Sequence, residues 1–335
     1  MGRKIRVLIL GAGAMARKHV EAYQRLPDIE VVAVANRGAD RAKSLCAAYG
    51  IPQYETDLAR AILETDADIA SICLPTAMHP ETAIRALSRG MHVLTEKPIA
   101  LTLEAAEAMI SASRKAGRKL SVVFNRRFNT VFDECRRRLP RLGSPLIYNA
   151  QEIRSIRPKL AMHSRSGNGG PVIDCCVHDF DLLLHLFGKA RSVQASGHVF
   201  GGDKAFLREI RDLAVDTAHI NVEFENGNRA YLLYAWGFPT GPGYWQYREF
   251  MGPGGILRLM GEFGQEVQHY REDGLLETVA GLRENGHEVI VEKFVEAVRE
   301  EKVVPVSPGE AMEALRLSLA ALSSIETGET QLLDS

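Results

Sequence analysis

Short apolar runs alternate with amphipathic stretches through the first third of the chain. "IRVLIL" (Ile5–Leu10) reads as a buried parallel strand. A Gly/Ala-rich turn follows, then a helical run to about Leu26, broken by Pro27-Asp28. "IEVVAVAN" (Ile29–Asn36) is the second strand, and Ala39–Tyr49 a helix closed by Gly50. "ADIASICLP" (Ala67–Pro75) is another buried strand. Pro80–Arg89 is a helix with proline at its start and Gly90 just past its end. His92–Glu96 is a strand, Thr102–Ala116 a helix stopped by Gly117, and Lys119–Asn125 a strand again. Strands alternating with helices predict a doubly wound parallel sheet, an α/β fold.

From about Pro145 the period changes to polar alternation. Pro145–Ile156, Ser192–Phe200, Asp216–Trp236, Arg248–Met260 and Gln265–Tyr270 read as long strands, with Asn226-Gly227 a hairpin signal inside the third. This predicts a C-terminal α+β domain with a large, open, mostly antiparallel sheet. Ser307-Pro308-Gly309-Glu310 is a capping box, so a last helix runs from about 308 to Thr327, before Gly328. The division expected is 1–125 and 126–335, with that last helix able to pack back toward the first domain.

Composition adds limits. The 335 residues are 46% hydrophobic and 25% charged, ordinary for a soluble globular protein of two domains. Lys+Arg is 41 and Asp+Glu 42, so a partner such as nucleic acid or an acidic membrane is not expected. Five cysteines with no C-x-x-C pair point to reduced thiols and a cytoplasmic setting. The start, "MGRKIRVLILGAGAMA", mimics a signal peptide, but its unbroken apolar run, Val7–Leu10, is too short, and a first strand explains it better. No segment holds ~18 consecutive apolar residues, so no membrane span is expected.

The turn Gly11-Ala12-Gly13-Ala14-Met15-Ala16 stands between a strand and a helix, where a dinucleotide pyrophosphate meets a helix N-terminus. Gly11 makes the tight turn, Gly13 lets phosphate approach the backbone, and Ala16 stays small for packing. A methyltransferase-type nucleoside site is the competing reading of the same turn. At the end of the second strand stand Asn36-Arg37, with Arg41 one helical turn on. Arginine pairs a 2′-phosphate, and no carboxylate holds a ribose hydroxyl there, so NADP is expected, with NAD the alternative. The same arginines read equally as solvated surface residues.

The stretch Ile173–Leu184, "IDCCVHDFDLLL", places three carboxylates and an imidazole in an apolar run. On one continuous helix Asp174, His178, Asp181 and His185 share roughly 60° of arc. Metal ligation, acid–base chemistry and a satisfied polar patch are the candidate readings. The cysteines point away from the stripe and no second cluster closes a tetrahedral site, so no metal is expected. Gly167, Gly169 and Gly170 allow close backbone approach at its N-terminus. Glu96-Lys97-Pro98 and "LPTAMHP" (Leu74–Pro80) end parallel strands at the carboxyl edge, where ligands bind in such sheets.

With Gly11–Ala16, Glu96-Lys97-Pro98, "FNRRF" (Phe124–Phe128) and "GGPVIDCCVHDFD" (Gly169–Asp181), the chain resembles the glucose–fructose oxidoreductase / inositol dehydrogenase / rhizopine-catabolism (Gfo/Idh/MocA) family along nearly its whole length. The resemblance implies an N-terminal Rossmann domain and an NAD(P)-dependent oxidoreductase acting on a sugar, polyol, cyclitol or related hydroxyl or carbonyl compound. It implies that Lys97 hydrogen-bonds the reacting oxygen, often through a cis Lys97–Pro98 peptide, that His178 is the general acid/base, and that Asp174 orients the reacting groups. It further implies that Pro75, Thr76, His79 and Glu96 line the cofactor cleft, with Asn125 and Arg126 near nicotinamide and substrate. Histidine titrates near neutrality, and a partly desolvated lysine stabilises a developing alkoxide, so the chemistry fits.

Two departures stand out. Cys175-Cys176 replaces the leucine-glycine often found there, and Pro158–Gly167 lacks the tryptophan many members carry. His163, Arg165, Arg154 and Arg157 are candidate substrate contacts, each equally a surface residue. Both tryptophans fall in Tyr234–Phe250. They suit stacking on a sugar face or an oligomer interface, since an open sheet needs its exposed face covered; a homodimer or homotetramer through that sheet is expected. The rival from another class is a non-catalytic dinucleotide-binding regulator. Retention of Lys97, Asp174 and His178 together favours the enzyme.

Overall fold

The computed structural model describes residues 3–238, 244–261 and 264–333. They form two compact units, Met1–Asn125 with Gly286–Met312, and Arg126–Asn285 with Glu313–Ser335.

In the first unit six strands, β1 (Ile5–Leu10), β2 (Ile29–Ala35), β3 (Gln53–Glu55), β4 (Ile69–Ile72), β5 (His92–Glu96) and β6 (Leu120–Val123), form one parallel sheet in the order β3-β2-β1-β4-β5-β6. Between them run α1 (Ala14–Gln24), α2 (Ala39–Tyr49), α3 (Leu58–Glu64), α4 (His79–Ser88) and α5 (Leu103–Ala116). The runs that suggested buried strands are buried: Val7, Leu8, Ile9 and Leu10 are 0% exposed. Strand order reverses between β1 and β4, so the turns after β1, β4 and β5 meet at one carboxyl edge. β3 and α3 carry no long apolar run and were not expected. Gly11 earns its place by geometry. Its φ is +115°, and a Cβ there would lie 2.3 Å from the Cys73 carbonyl oxygen.

The second unit contains α6 (Thr130–Arg138), β7 (Ile147–Ser155), α7 (Gly170–Asp174), α8 (Val177–Phe187), β8 (Ala190–His198), β9 (Thr217–Phe224), β10 (Arg229–Phe238), β11 (Tyr244–Gly252), β12 (Gly255–Met260), β13 (Glu266–Arg271) and β14 (Leu276–Ala280). The chain continues through α9 (Gly286–Arg299) and α10 (Pro308–Thr327) to β15 (Gln331–Leu332). The nine-stranded sheet runs β14-β13-β12-β11-β7-β10-β9-β8-β15, antiparallel throughout except for the parallel pair β7–β10. Its alternation puts Tyr148, Ala150 and Glu152 of β7, and Leu232 and Tyr234 of β10, on the buried face. Phe187 of α8 packs there edge-on to Phe224, centroids 5.3 Å apart.

Three expectations need correction. Arg248–Met260 is not one strand, because Pro253-Gly254 turns the chain into a hairpin between β11 and β12. The Asp174–His185 stretch is not one helix. α7 ends at Asp174, and Cys175 (φ −116°) and Cys176 stand between it and α8. The two tryptophans do not share an environment: Trp236 is 1% exposed and Trp245 43%. The part of the aromatic stretch at 239–243 lies outside the described residues. The capping box holds as expected, with the Ser307 and Glu310 amides donating to Glu310 Oε2 (2.9 Å) and Ser307 Oγ (3.2 Å). All five cysteines are free thiols. Among the described residues no helix is long and apolar enough to cross a membrane.

Candidate active site

The turn after β1 fits a dinucleotide. α1 begins with no side-chain cap and no acidic residue in its first turn, so its leading N–H groups meet no competing side-chain anion. A Cβ at Gly13 would meet nothing within 4 Å, whereas Ala16 is fully buried against the fold. Ala14 is exposed and Met15 half-buried. At the end of β2, Asn36 turns its amide onto the Gly38 carbonyl (2.9 Å), and Arg37 and Arg41 are exposed. Neither arginine forms an ion pair among the described residues.

The other cofactor candidates of this unit divide by exposure. Pro75 is exposed; Lys97, directly after β5, is half-buried and joined to Pro98 by a cis peptide. Thr76 and Asn125 are nearly buried, 1% and 6% exposed. His79, expected at the cleft surface, is 0% exposed, with Nδ1 2.9 Å from the Pro98 carbonyl and Nε2 3.0 Å from that of Leu74. It holds the ends of the two strands from behind, and burial lowers its pKa against the pull of those carbonyls.

Glu96 is likewise turned inward. Its carboxylate lies 3.1 Å from His19 Nε2 and 3.7 Å from His287 Nε2, and accepts the Lys97 amide at 3.3 Å. His19 completes the chain through Ser71 Oγ at 2.7 Å. Burial alone would raise the Glu96 carboxyl, but His19 and His287 hold it well below the usual range. Burial would lower His19, but Cys73 and Glu96 raise it to about 10. Burial pushes the Cys73 thiol up, against the opposing pull of His19. The backbone of the lysine loop therefore rests on a buried ion pair.

That pairing carries a pH dependence. The raised His19 contributes stability that is full below its ordinary value near 6.5 and is lost as pH climbs toward 10. Glu96, depressed, contributes above about 4.5 and is lost on acidification. In a thermal-unfolding series from pH 7 to 10, the wild type should lose more melting temperature than His19→Gln/Glu96→Gln. Equal losses would contradict the assignment.

In the second unit Asp174 ends α7, 5% exposed, with Asn168 Nδ2 3.3 Å from its Oδ1. His178 lies in the first turn of α8, half-buried. Asp181, grouped with them by helical phase, is instead committed to Arg127, whose Nε and Nη2 reach its two oxygens at 2.8 and 2.6 Å; His185 is exposed. Among the described residues no three His, Cys, Asp or Glu side chains are grouped to hold a metal ion.

Sequence reasoning missed the buried charge network beneath this helix. Asp179, 0% exposed, accepts from Arg126 Nη1 (2.7 Å), Tyr148 Oη (2.9 Å), Arg248 Nε (3.3 Å) and the Tyr234 hydroxyl. Glu152, also 0% exposed, meets Arg248 (2.9 Å), Arg154 (2.8 Å) and Arg126 (3.5 Å), and accepts from Cys175 Sγ at 2.8 Å. Burial works to raise both carboxyls. The arginines win, bringing Glu152 to about 2 and Asp179 lower still. Arg126 and Arg154, expected at the substrate, thus also anchor the fold. His163, a third such candidate, is 2% exposed, its Nε2 3.1 Å from both the amide and the carbonyl of Arg157. The signal for the network lay in the strands: Glu152 and Arg248 occupy the inward phase otherwise filled by Tyr148, Ala150 and Phe250.

Residues 5–124 match the family description "Oxidoreductase family, NAD-binding Rossmann fold", and residues 140–332 match "Oxidoreductase family, C-terminal alpha/beta domain". The chain is 26% identical to the scyllo-inositol 2-dehydrogenase (NAD(+)) of Bacillus subtilis (strain 168) over 341 residues, 100% of this chain and 98% of the other. It shares 31% identity with the D-glucoside 3-dehydrogenase of Escherichia coli (strain K12) over 202 residues, 58% of each. The crystal structure of an oxidoreductase domain protein from Kribbella flavida has the same fold, with a TM-score of 0.88 at 22% identity over 100% of both chains.

Proposed function

From the premise that this chain belongs to the Gfo/Idh/MocA oxidoreductase family, we propose an NADP-preferring dehydrogenase or reductase that interconverts a hydroxyl and a carbonyl on a sugar, polyol or cyclitol. The observation that carries the reading is the meeting of the Gly11–Ala16 turn and Lys97 at one carboxyl edge of the parallel sheet. Residues 1–125 bind the dinucleotide, Gly11–Ala16 holding its phosphates, and residues 126–335 bind the substrate. When bound, the nicotinamide dinucleotide supplies the hydride acceptor or donor. In oxidation, His178 takes the hydroxyl proton while Lys97 donates to the oxygen as negative charge grows there. Asp174 orients the pair. Relatives named for inositol and glucoside support the substrate class. The half-exposed face of the large sheet, where Trp245 stacks on Tyr247 with centroids 6.4 Å apart, joins copies into a homodimer or homotetramer.

NADP rests on Arg37 and Arg41, exposed and without carboxylate partners among the described residues, beside Asn36 where an acidic residue serves NAD. One relative's name specifies NAD(+), so the substitution that decides is Arg37→Asp. It should weaken NADPH binding by about 10- to 100-fold, the loss of one charge-assisted pair, and leave NADH nearly unchanged. An unaltered NADPH affinity would contradict the assignment. The reaction is tested by following NADPH formation from NADP⁺ over a panel of sugars, polyols and cyclitols. Cofactor binding without turnover of any, together with none in the reductive direction, would oppose it.

A further inference from the structure

We propose a second binding site on this chain, at the amino edge of the parallel sheet, that takes a dianionic phosphate, free or as the monoester of a small metabolite. It is independent of the dehydrogenase reading above and lies at the opposite edge from the cofactor turn. A cleft of about 500 Å³ opens there, a size usual for small-molecule sites. Its walls are the chain entering β1, β2, β4, β5 and β6, and the end of α9. His92, the first residue of β5, is half-buried on this wall. Its Nδ1 lies 3.0 Å from the Lys119 amide nitrogen, which only donates, so Nδ1 accepts. A neutral imidazole then carries its proton on Nε2. Burial, with Arg118 and Lys119 beside it, lowers the His92 pKa to about 4, so the ring is neutral at pH 7. Yet Nε2 lies 3.4 Å from Arg118 Nη1, which also only donates. Two N–H groups face each other and neither satisfies the other. One oxygen accepting from both resolves the conflict.

The charges around the cleft favour an anion as the owner of that oxygen. Arg3, Lys4, Arg118 and Arg299 line it against Asp28 and Asp68. Both carboxylates are occupied. Asp28 meets Arg299 at 3.7 Å, while Asp68 accepts the Arg6 amide at 2.8 Å and meets Arg3 at 3.5 Å. Lys4 and Arg118 form no ion pair among the described residues. Neighbouring segments do not reverse the balance. Arg6, Arg89 and Lys119 offset Glu30, Asp66 and Glu296, Lys302 holds Glu300 at 2.6 Å, and with Glu301 also counted the sum stays positive. A water would accept both protons but leave Lys4 and Arg118 without an anion. A phosphate monoester carries about −1.5 to −2 charge at pH 7 on three acceptor oxygens, which suits His92, Arg118 and Lys4 together. Lys4 and Arg118 are exposed, long side chains that can converge on it. The cleft has room beyond a bare phosphate, and Ile5 and Val298 give an apolar wall for the remainder of a small molecule.

The direct readout is the His92 imidazole signal in a proton–nitrogen correlation spectrum, assigned by its loss in His92→Gln. At constant ionic strength, titration with D-glucose 6-phosphate and with inorganic phosphate should shift this signal saturably. D-glucose, the neutral counterpart, should not. The tighter of the two phosphates identifies the source, a monoester or the free ion. Arg118→Gln should raise that ligand's Kd by about 10- to 100-fold, the worth of one charged hydrogen bond, and Lys4→Gln, on a separate segment, should weaken it likewise. Both side chains are exposed and hold no carboxylate, so each variant should melt with the wild type when phosphate is absent. Lys97→Ala, at the opposite edge of the sheet, should keep the wild-type Kd, which separates this cleft from the proposed reaction centre. No shift of His92 with either phosphate, an equal shift with D-glucose, an unchanged Kd in both Arg118→Gln and Lys4→Gln, or loss of binding in Lys97→Ala would each overturn the proposal.

Discussion

His178→Ala is expected to lower kcat by about 10²- to 10⁴-fold, the usual worth of a positioned general acid–base, and Lys97→Ala to lower it comparably, each with cofactor affinity unchanged. The hydroxyl proton must leave as carbon–hydrogen cleavage builds charge on oxygen, and water takes it poorly. His178 suits the task by its half-buried place in the first turn of α8. Lys97 suits the other role because its loop is fixed from below by Glu96, itself clamped by His19 and His287. Steady-state kinetics with calorimetric cofactor titration checks both. Full turnover in either variant would sink the mechanism, and a collapse of cofactor affinity with kcat preserved would move that residue to a binding role.

Asp179→Ala is expected to cost the fold about 3–5 kcal/mol, as breaking a buried ion pair does, and to lower the melting temperature by roughly 10 °C. The carboxylate is 0% exposed and faces Arg126, Arg248 and two tyrosine hydroxyls. Removing it leaves Arg126 and Arg248 to share Glu152 in a low dielectric, and Glu152, already engaged by Arg154 and Cys175, cannot take its place. Asp179→Asn, which keeps the shape and loses the charge, should fall between. The depressed Glu152 adds an acid limb to the same effect: its contribution stands above about 4.5 and drains away as pH falls toward 2. A melting temperature for Asp179→Ala within the error of the wild type would show that the network is not what holds this layer.

The first unit was legible because its strands are buried on both faces, and such strands are continuous apolar runs bounded by Gly and Pro. β3 and α3 escaped because Gln53–Glu55 is a short edge strand, largely exposed, and Leu58–Glu64 buries only Ala61 and Ile62. The site was less legible, and for a physical reason. Helical phase groups Asp174 with His178 and Asp181 only if the helix is unbroken. The irregular backbone at Cys175-Cys176 breaks that phase, and Arg127 claims Asp181. Charge buried on a strand looks like surface charge until its register is known, so the inward phase of Glu152 and Arg248 went unread. His19 carried a signal that was not used. It shares the apolar face of α1 with Ala16, Val20 and Tyr23, and a histidine there needs partners.

The proposed reaction requires a nicotinamide dinucleotide bound where Gly11–Ala16 meets α1, with its 2′-phosphate toward Arg37. Side-by-side calorimetric titration of the wild-type protein with NADPH and NADH tests that most directly. Saturable binding of both, with clear preference for NADPH, is expected. Preference for NADH would refute the part given to Arg37 and leave the reaction standing; binding of neither, by protein shown to carry no cofactor from expression, would contradict the central claim.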